Sequence, residues 1–217
     1  MDWSVLAAST GALAQGLLVT LEVSLLALAL ALALGVLIAV ARVAPSPPLR
    51  AAATAYVEVL RNIPLLVQLF FLFFALPTLP LFPIRLDAFT CGVVALGIYS
   101  SAFVAEAIRS GIAGVARGQL EAALASGMSY TTAMRLVVLP QALAKTIPPL
   151  GNTVLNLIKN SSLVSTVSVL DLLGTANQIG ARTFDYVPMF AGAAIGYLIL
   201  TLPTALGVNV LERRLAR

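Results

Sequence analysis

The stretch "LLVTLEVSLLALALALALGVLIAVA", Leu17 to Ala41, decides the fold class. Its inner run "LALALALALG", Leu26 to Gly35, alternates with the period of a half-buried strand. Such a strand alternates apolar with polar residues, whereas here both partners are apolar. Leucine and alanine are strong helix formers, and no β-branched residue interrupts the run before Val36. The stretch is 25 residues long and carries one charge, Glu22. An α-helix needs about 20 apolar residues to cross a bilayer. The prediction is a transmembrane helix.

Composition extends that reading to the whole chain. Of 217 residues, 60% are hydrophobic and 10% charged, against about 25% charged in a typical soluble domain. Histidine is absent, which removes the commonest general base and metal ligand. The single cysteine, Cys91, supports neither an internal disulfide nor a Cys/His metal site. With no paired carboxylates or ligand cluster evident, a membrane-embedded enzyme fits poorly. The net charge of +4 is dispersed and reads as membrane topology, not as a nucleic-acid footprint. No phosphate loop of the G-x-x-x-x-G-K-S/T type occurs, so any ATP used binds another chain. The N-terminal "MDWSVLAASTGALAQG" lacks the basic region of a cleaved signal peptide, so the first apolar run reads as a retained span.

Five spans are expected, at about 17–41, 49–76, 88–108, 148–163 and 187–210. "ARVAPSPPLR" links the first two, and the prolines of "ALPTLPLFPIRLD" end the second. Pro148 suits the first turn of the fourth. "DLLGTANQIGARTFDY" reads as a non-membrane connector before the fifth. Arg42, Arg50, Arg109, Arg117, Arg135, Lys145, Arg213, Arg214 and Arg217 then share one side, with Arg85 and Arg182 on the other. The positive-inside bias places the N-terminus outside, the C-terminus in the cytoplasm and the polar segment 109–145 at the cytoplasmic face.

That segment contains "EAALASGMSYTTAMRLVVLP", Glu121 to Pro140. Gln119 to Ser126 suits a short helix with Leu120, Ala123 and Leu124 on one face, ended by Gly127 in a left-handed conformation. Ser129 suits the cap of a second helix, Tyr130 to Val138, which Pro140 stops. The plain alternative is a loop resting on the membrane surface. A DNA-reading helix pair fits poorly, because only Arg117, Arg135 and Lys145 are basic here.

The same segment resembles the EAA loop of importer-type ATP-binding-cassette permeases: EAA, three residues, Gly, nine residues, Ile, one residue, Leu-Pro. Glu121, Ala122, Ala123, Gly127, Leu139 and Pro140 match at that spacing, with Val137 in place of the isoleucine. "VEVLRNIPLLVQLFFLFFALP", Val57 to Pro77, is similar to the E-x-x-R-x-x-P-L-L-x-Q run of the polar amino-acid permeases. "LIKNSSLVS", Leu157 to Ser165, resembles their later Lys-(Asp/Asn)-(Thr/Ser)-Ser-Leu run, with Asn160 where many members carry aspartate. The resemblance covers nearly the whole chain. It implies an all-α membrane protein of the type I importer permease fold, five transmembrane helices with a cytoplasmic coupling-helix segment, in a bacterial cytoplasmic membrane. It implies ATPase subunits docked on the coupling segment, which bind the ATP and magnesium, so that this chain needs no cofactor. A second permease subunit, identical or related, and an extracytoplasmic solute-binding protein complete the expected assembly.

Ionisable groups at membrane depth are costly and commonly face a cavity or a partner. Glu58 and Arg61 share a helix face, and counting from Leu49 places Arg61 about 18 Å into a straight span. If the span begins at Pro64 instead, both sit at the interface. Asn152, Asn156 and Lys159 share one face of span four, and counting from Pro148 places Lys159 about 16 Å in. Asn160 and Ser161 continue the patch. Hydrogen bonding between spans is the structural alternative. As a pathway for a zwitterion, Arg61 or Lys159 would meet a carboxylate, Glu58 an ammonium, and Gln68 would add a hydrogen bond. Glu106 and Arg109 read as an interfacial ion pair, and Gly192 and Gly196 as a close-packing site. An ion-coupled secondary transporter is the main rival, disfavoured by the lack of an internal repeat. A structural permease subunit that contacts no substrate is the other.

Overall fold

The computed structural model describes residues 2–80 and 83–215; Arg217, counted above among the basic residues, lies outside them. After a short α1 (Ser4–Ala8), α2 runs unbroken from Thr10 to Arg42, so the alternating run is helical. The 3.6-residue period sorts its residues. Ala27, Ala31, Gly35 and Ala39 fall in one buried row, while Leu26, Leu32 and Leu37 face outward. That row packs on α5 (Ala88–Ala113). A Cβ at Gly35 would lie 2.5 Å from the Val104 side chain, and one at Gly97 would lie 2.7 Å from Leu30. Hydrocarbon tails are as apolar as leucine, so helices associate here through close backbone approach at small residues.

Between α2 and α5 the chain is not one straight span. α3 (Pro47–Asn62) ends at Ile63, held extended by the following Pro64, and α4 (Leu65–Phe70) leaves at 103°. The straight count that placed Arg61 is therefore corrected. Gln68 stabilises the bend, its Nε2 donating to Leu60 O at 2.9 Å, which Pro64 leaves without a helical donor, and to Ile63 O at 3.0 Å, which Val67 bypasses by bonding Pro64 O. A wide π turn (Phe71–Ala75) and a 3₁₀ turn (Leu76–Thr78) complete the segment.

Past α5 the chain makes an excursion, α6 (Arg117–Ala125) and α7 (Tyr130–Ala133), and returns through a π turn (Met134–Val138) into α8 (Leu139–Asn160). Two expectations are corrected here. Pro140 does not stop a helix; it occupies the first turn of α8, where no N–H is needed. The π turn gives the physical reason: the Leu139 N–H bonds Met134 O, five residues back, which widens the helix ahead of the proline ring. The same device precedes Pro77, where the Leu76 N–H bonds Phe71 O. Pro148 and Pro149 lie inside α8, not at a helix start. The excursion itself occupies residues 114–138 within the segment 109–145, since α5 reaches Ala113 and α8 begins at Leu139.

The chain closes with a 3₁₀ segment (Ser161–Val167), α9 (Leu172–Thr183) and α10 (Tyr186–Leu215). The expected connector is therefore a helix, packed on α2 and α10. Asp171 caps α9, accepting from Gly174 N at 2.8 Å and from the Tyr197 hydroxyl at 3.1 Å, while Thr20 of α2 accepts from Leu172 N. Burial pushes the Asp171 carboxyl above the ordinary carboxylate range, with those bonds pulling the other way.

Three described helices are long and apolar enough to cross a membrane, Thr10–Arg42, Ala88–Ala113 and Tyr186–Arg214; the bent pair makes a fourth if counted as one broken span. The expected span 148–163 falls in the second half of α8 and the first residues of the 3₁₀ segment; the 22 residues of α8 reach about 33 Å. Gln141, Lys145, Asn152, Asn156, Lys159 and Asn160 make it too polar to qualify by composition. The Gly192 and Gly196 positions pack within the chain, against Leu6 and Leu172.

Candidate functional site

Two places collect the residues that the sequence singles out. One is the excursion. α6 presents Ala123 inward, with Leu120 half-buried against Val115, Val138 and Met134. Gly127, at φ +85°, ends it: the Met128 N–H bonds Ala123 O at 3.2 Å and the Gly127 N–H bonds Leu124 O at 3.0 Å, the paired bonds of a Schellman turn. Ser129 caps α7, accepting from Thr132 N at 3.2 Å. Both features were legible in the sequence. A Cβ at Gly127 would meet nothing within 4 Å, so glycine is required by the backbone angle and not by crowding.

The root of the excursion is pinned twice. Lys145 of α8 donates to Gly114 O at the end of α5, at 2.5 Å, and Gln141 donates to Gln119 Oε1 at 3.2 Å. Nearby, Glu106 pairs with Arg109 as expected and also with Arg42 of α2, at 2.5 and 2.6 Å. The second partner is 64 residues away in sequence, a separation that hides it. Glu121 and Ala122 are exposed, and so are Leu124, Met128 and Tyr130, the last 61% exposed. Leu139 and Pro140 lie exposed where α8 begins. The tip of the pair is a hydrogen-bonded turn with an uncovered apolar surface, suited to insertion into another protein's groove.

The other place is midway along α5. The Arg61 guanidinium carbon stands 5.4 Å from the Phe103 ring centroid, and Phe103 stacks at a tilt on Tyr99 at 5.0 Å. Phe103 is ten residues from Ala113, about 15 Å along the helix. That contact sets the level of Arg61 despite the bend. Beside it, Tyr99, Ser100, Phe103, Thr153, Asn156 and Asn160 line a cleft of about 190 Å³. Arg61, Asn156 and Asn160 thus converge on one aromatic pair, which the sequence signals only as an i, i+4 aromatic spacing in "IYSSAF". Asn152 and Lys159 lie on the same exposed face of α8. Glu58 is exposed and does not pair with Arg61. Ser161 is buried and bonded to Ile158 O, and the amide nitrogen of Gln68 is held by the bend. Among the described residues no cluster of metal-ligating side chains occurs.

A family model described as "Binding-protein-dependent transport system inner membrane component" matches residues 31–217. The chain is 46% identical to the probable glutamine ABC transporter permease protein GlnM of Bacillus subtilis, over 100% of this chain and 99% of the relative. It is 34% identical to the glutamate/aspartate import permease protein GltK of Escherichia coli O157:H7, over 99% and 98% of the two chains. A crystal structure of an amino acid ABC transporter with histidines superposes with a TM-score of 0.92 at 37% identity, covering 99% of each chain. The inward-facing MetNI methionine ABC transporter shares the fold, with a TM-score of 0.75 at 21% identity over 96% of this chain and 98% of the other. Fold, excursion and sequence agree that this chain belongs to the family of inner-membrane components of binding-protein-dependent transport systems.

Proposed function

We propose that this chain is the permease subunit of an ATP-driven importer of polar amino acids, of the glutamine and glutamate type. The names of the relatives support the substrate class. The observation that carries the mechanism is the excursion, a rigid Gly127 turn with Leu124, Met128 and Tyr130 uncovered, rooted in the spans by Lys145 and Gln141. ATPase subunits grip this turn at the cytoplasmic face, with Glu121, Ala122 and Ala123 on its first helix and Leu139 and Pro140 where it joins α8. ATP and magnesium bind to those subunits. The N-terminus lies outside and the C-terminus in the cytoplasm.

A second permease chain covers the polar face of α8, because Asn152, Asn156 and Lys159 would otherwise meet lipid. Between the two chains, Arg61 and Lys159 receive the substrate carboxylate, and Asn156 and Asn160 bond its polar groups. ATP-driven closure of the ATPases turns the cavity toward the delivering binding protein, and hydrolysis resets it. The exchange involves no covalent chemistry in this chain.

The test is Gly127→Asp in reconstituted transporter. The side chain strains the turn and adds charge to the gripping surface, so insertion persists while stimulation of ATPase activity by the loaded binding protein is lost. Normal stimulation would refute the assignment of the excursion.

A further inference from the structure

The corner between α9 and α10 joins two observations that the transport cycle leaves unused. Phe184 is 84% exposed, the most exposed large apolar side chain among the described residues, and its backbone sits at φ +61°. A helix that ends in this left-handed conformation ordinarily uses glycine or asparagine there. An aromatic residue in that position is unfavourable both for its backbone and for its ring in water, and outliers of this kind cluster where a ligand or partner is engaged. The corner is nonetheless firmly built. The Phe184 N–H bonds Gly180 O at 2.8 Å, and Tyr186 packs on Gly180. The Asp2 N–H donates to Asp185 at 2.9 Å, which brings Trp3, 55% exposed, to the same corner.

The position selects among occupants. Leu200 and Thr204 share one cavity wall with Val154 and Ile158, and Val208 and Leu211 share another with Ile147 and Gly151, so α10 runs antiparallel to α8; its C-terminal end lies toward the excursion and the α9–α10 corner at the opposite end. The 30 residues of α10 reach about 45 Å, against about 30 Å for a hydrocarbon core. With Arg213 and Arg214 at the inner boundary, the first turns of α10 stand clear of the core on the outside. A ring presented there, with Arg182 and Trp3 beside it, has the composition of an interface hot spot.

We infer that Phe184 is a docking anchor for the soluble binding protein named in the family description, seated on that protein's surface when it delivers substrate. This rests on the binding-protein partnership proposed above. Glycine relieves the backbone at this position, so Phe184→Gly folds at least as well as the parent while losing the ring. In transporter reconstituted in phosphatidylethanolamine/phosphatidylglycerol nanodiscs, the loaded binding protein should need about tenfold or more higher concentration for half-maximal ATPase stimulation. The melting temperature should not fall, Phe184→Trp should restore the parent value, and the shift should persist in detergent. Unchanged half-saturation in Phe184→Gly overturns the inference; with a fall in melting temperature confined to nanodiscs, it assigns the ring to the lipid headgroup layer. A parent transporter that shows no stimulation overturns the partnership itself.

Discussion

At Gly127 the constraint is a single dihedral angle. With φ at +85° and open space where a Cβ would point, substitutions are ranked by how well each residue tolerates the left-handed region. Stimulated ATPase activity should therefore fall in the order glycine, asparagine, alanine, with Gly127→Ala costing the turn about 1–2 kcal/mol. An order with alanine above asparagine would mean that the side chain, not the backbone angle, decides. Gln68 makes a different kind of point. The sequence placed it in a polar pathway, and its amide nitrogen holds two carbonyls at the α3–α4 bend instead. Gln68→Ala leaves both without that donor, at a cost of about 1–3 kcal/mol. The purified permease should melt several degrees lower, while Gln68→Glu, which keeps the shape but loses the N–H donor, should be no better. A melting temperature matching the parent in both would remove the bend from the list of things Gln68 holds.

At the scale of elements, packing of small residues governs. Gly35→Leu drives a side chain into Val104 and separates α2 from α5, the central helix pair. Such a permease should insert and then be degraded, measured as loss of the full-length chain on membrane immunoblots; normal abundance would contradict the packing. Helices α2, α5 and α10 were legible because long apolar runs carry their own signal. The capped turn at Gly127 and Ser129 was legible because its residues act locally. The 103° bend was masked: Ile63–Pro64 marks it, yet the apolar residues on both sides read as one span. Pro140 and Pro148 misled for the converse reason. Proline's local effect is to stop or to begin a helix, whereas here the π turn lets Pro140 sit in the first turn of α8 and Pro148 lies inside that helix. α9 was missed because its polar residues read as a loop until Thr20 of α2 and Tyr197 of α10 supply partners to its first turn and to its cap, Asp171.

The whole molecule has an uneven surface. α2 and α10 present leucines outward, as lipid requires, whereas α8 presents asparagines and a lysine on an exposed face. A cysteine at Asn152, in a Cys91→Ser background, should form a disulfide or a short crosslink with a second permease chain and not with lipid-facing α10. On the proposed pairing, the cleft beside Arg61 and Phe103 lies at the seam of the two chains. Arg61→Ala and Lys159→Ala should each lower substrate uptake by about tenfold or more at normal abundance, as expected for loss of a charged partner to a carboxylate. Uptake unchanged in both would dismiss the pathway. Convergence of Arg61, Asn156 and Asn160 could not be read from one-dimensional spacing, because the bend and α5 jointly create it.

The lever between motor and spans is the central claim, and it has a direct test. Cys91 is fully buried, so a single cysteine introduced at exposed Ser126, beside Gly127, reports on that turn alone. In intact cells it should resist a membrane-impermeant maleimide, react once the membrane is opened, and crosslink to the ATPase subunit. Labelling of that cysteine from outside in intact cells would contradict the account.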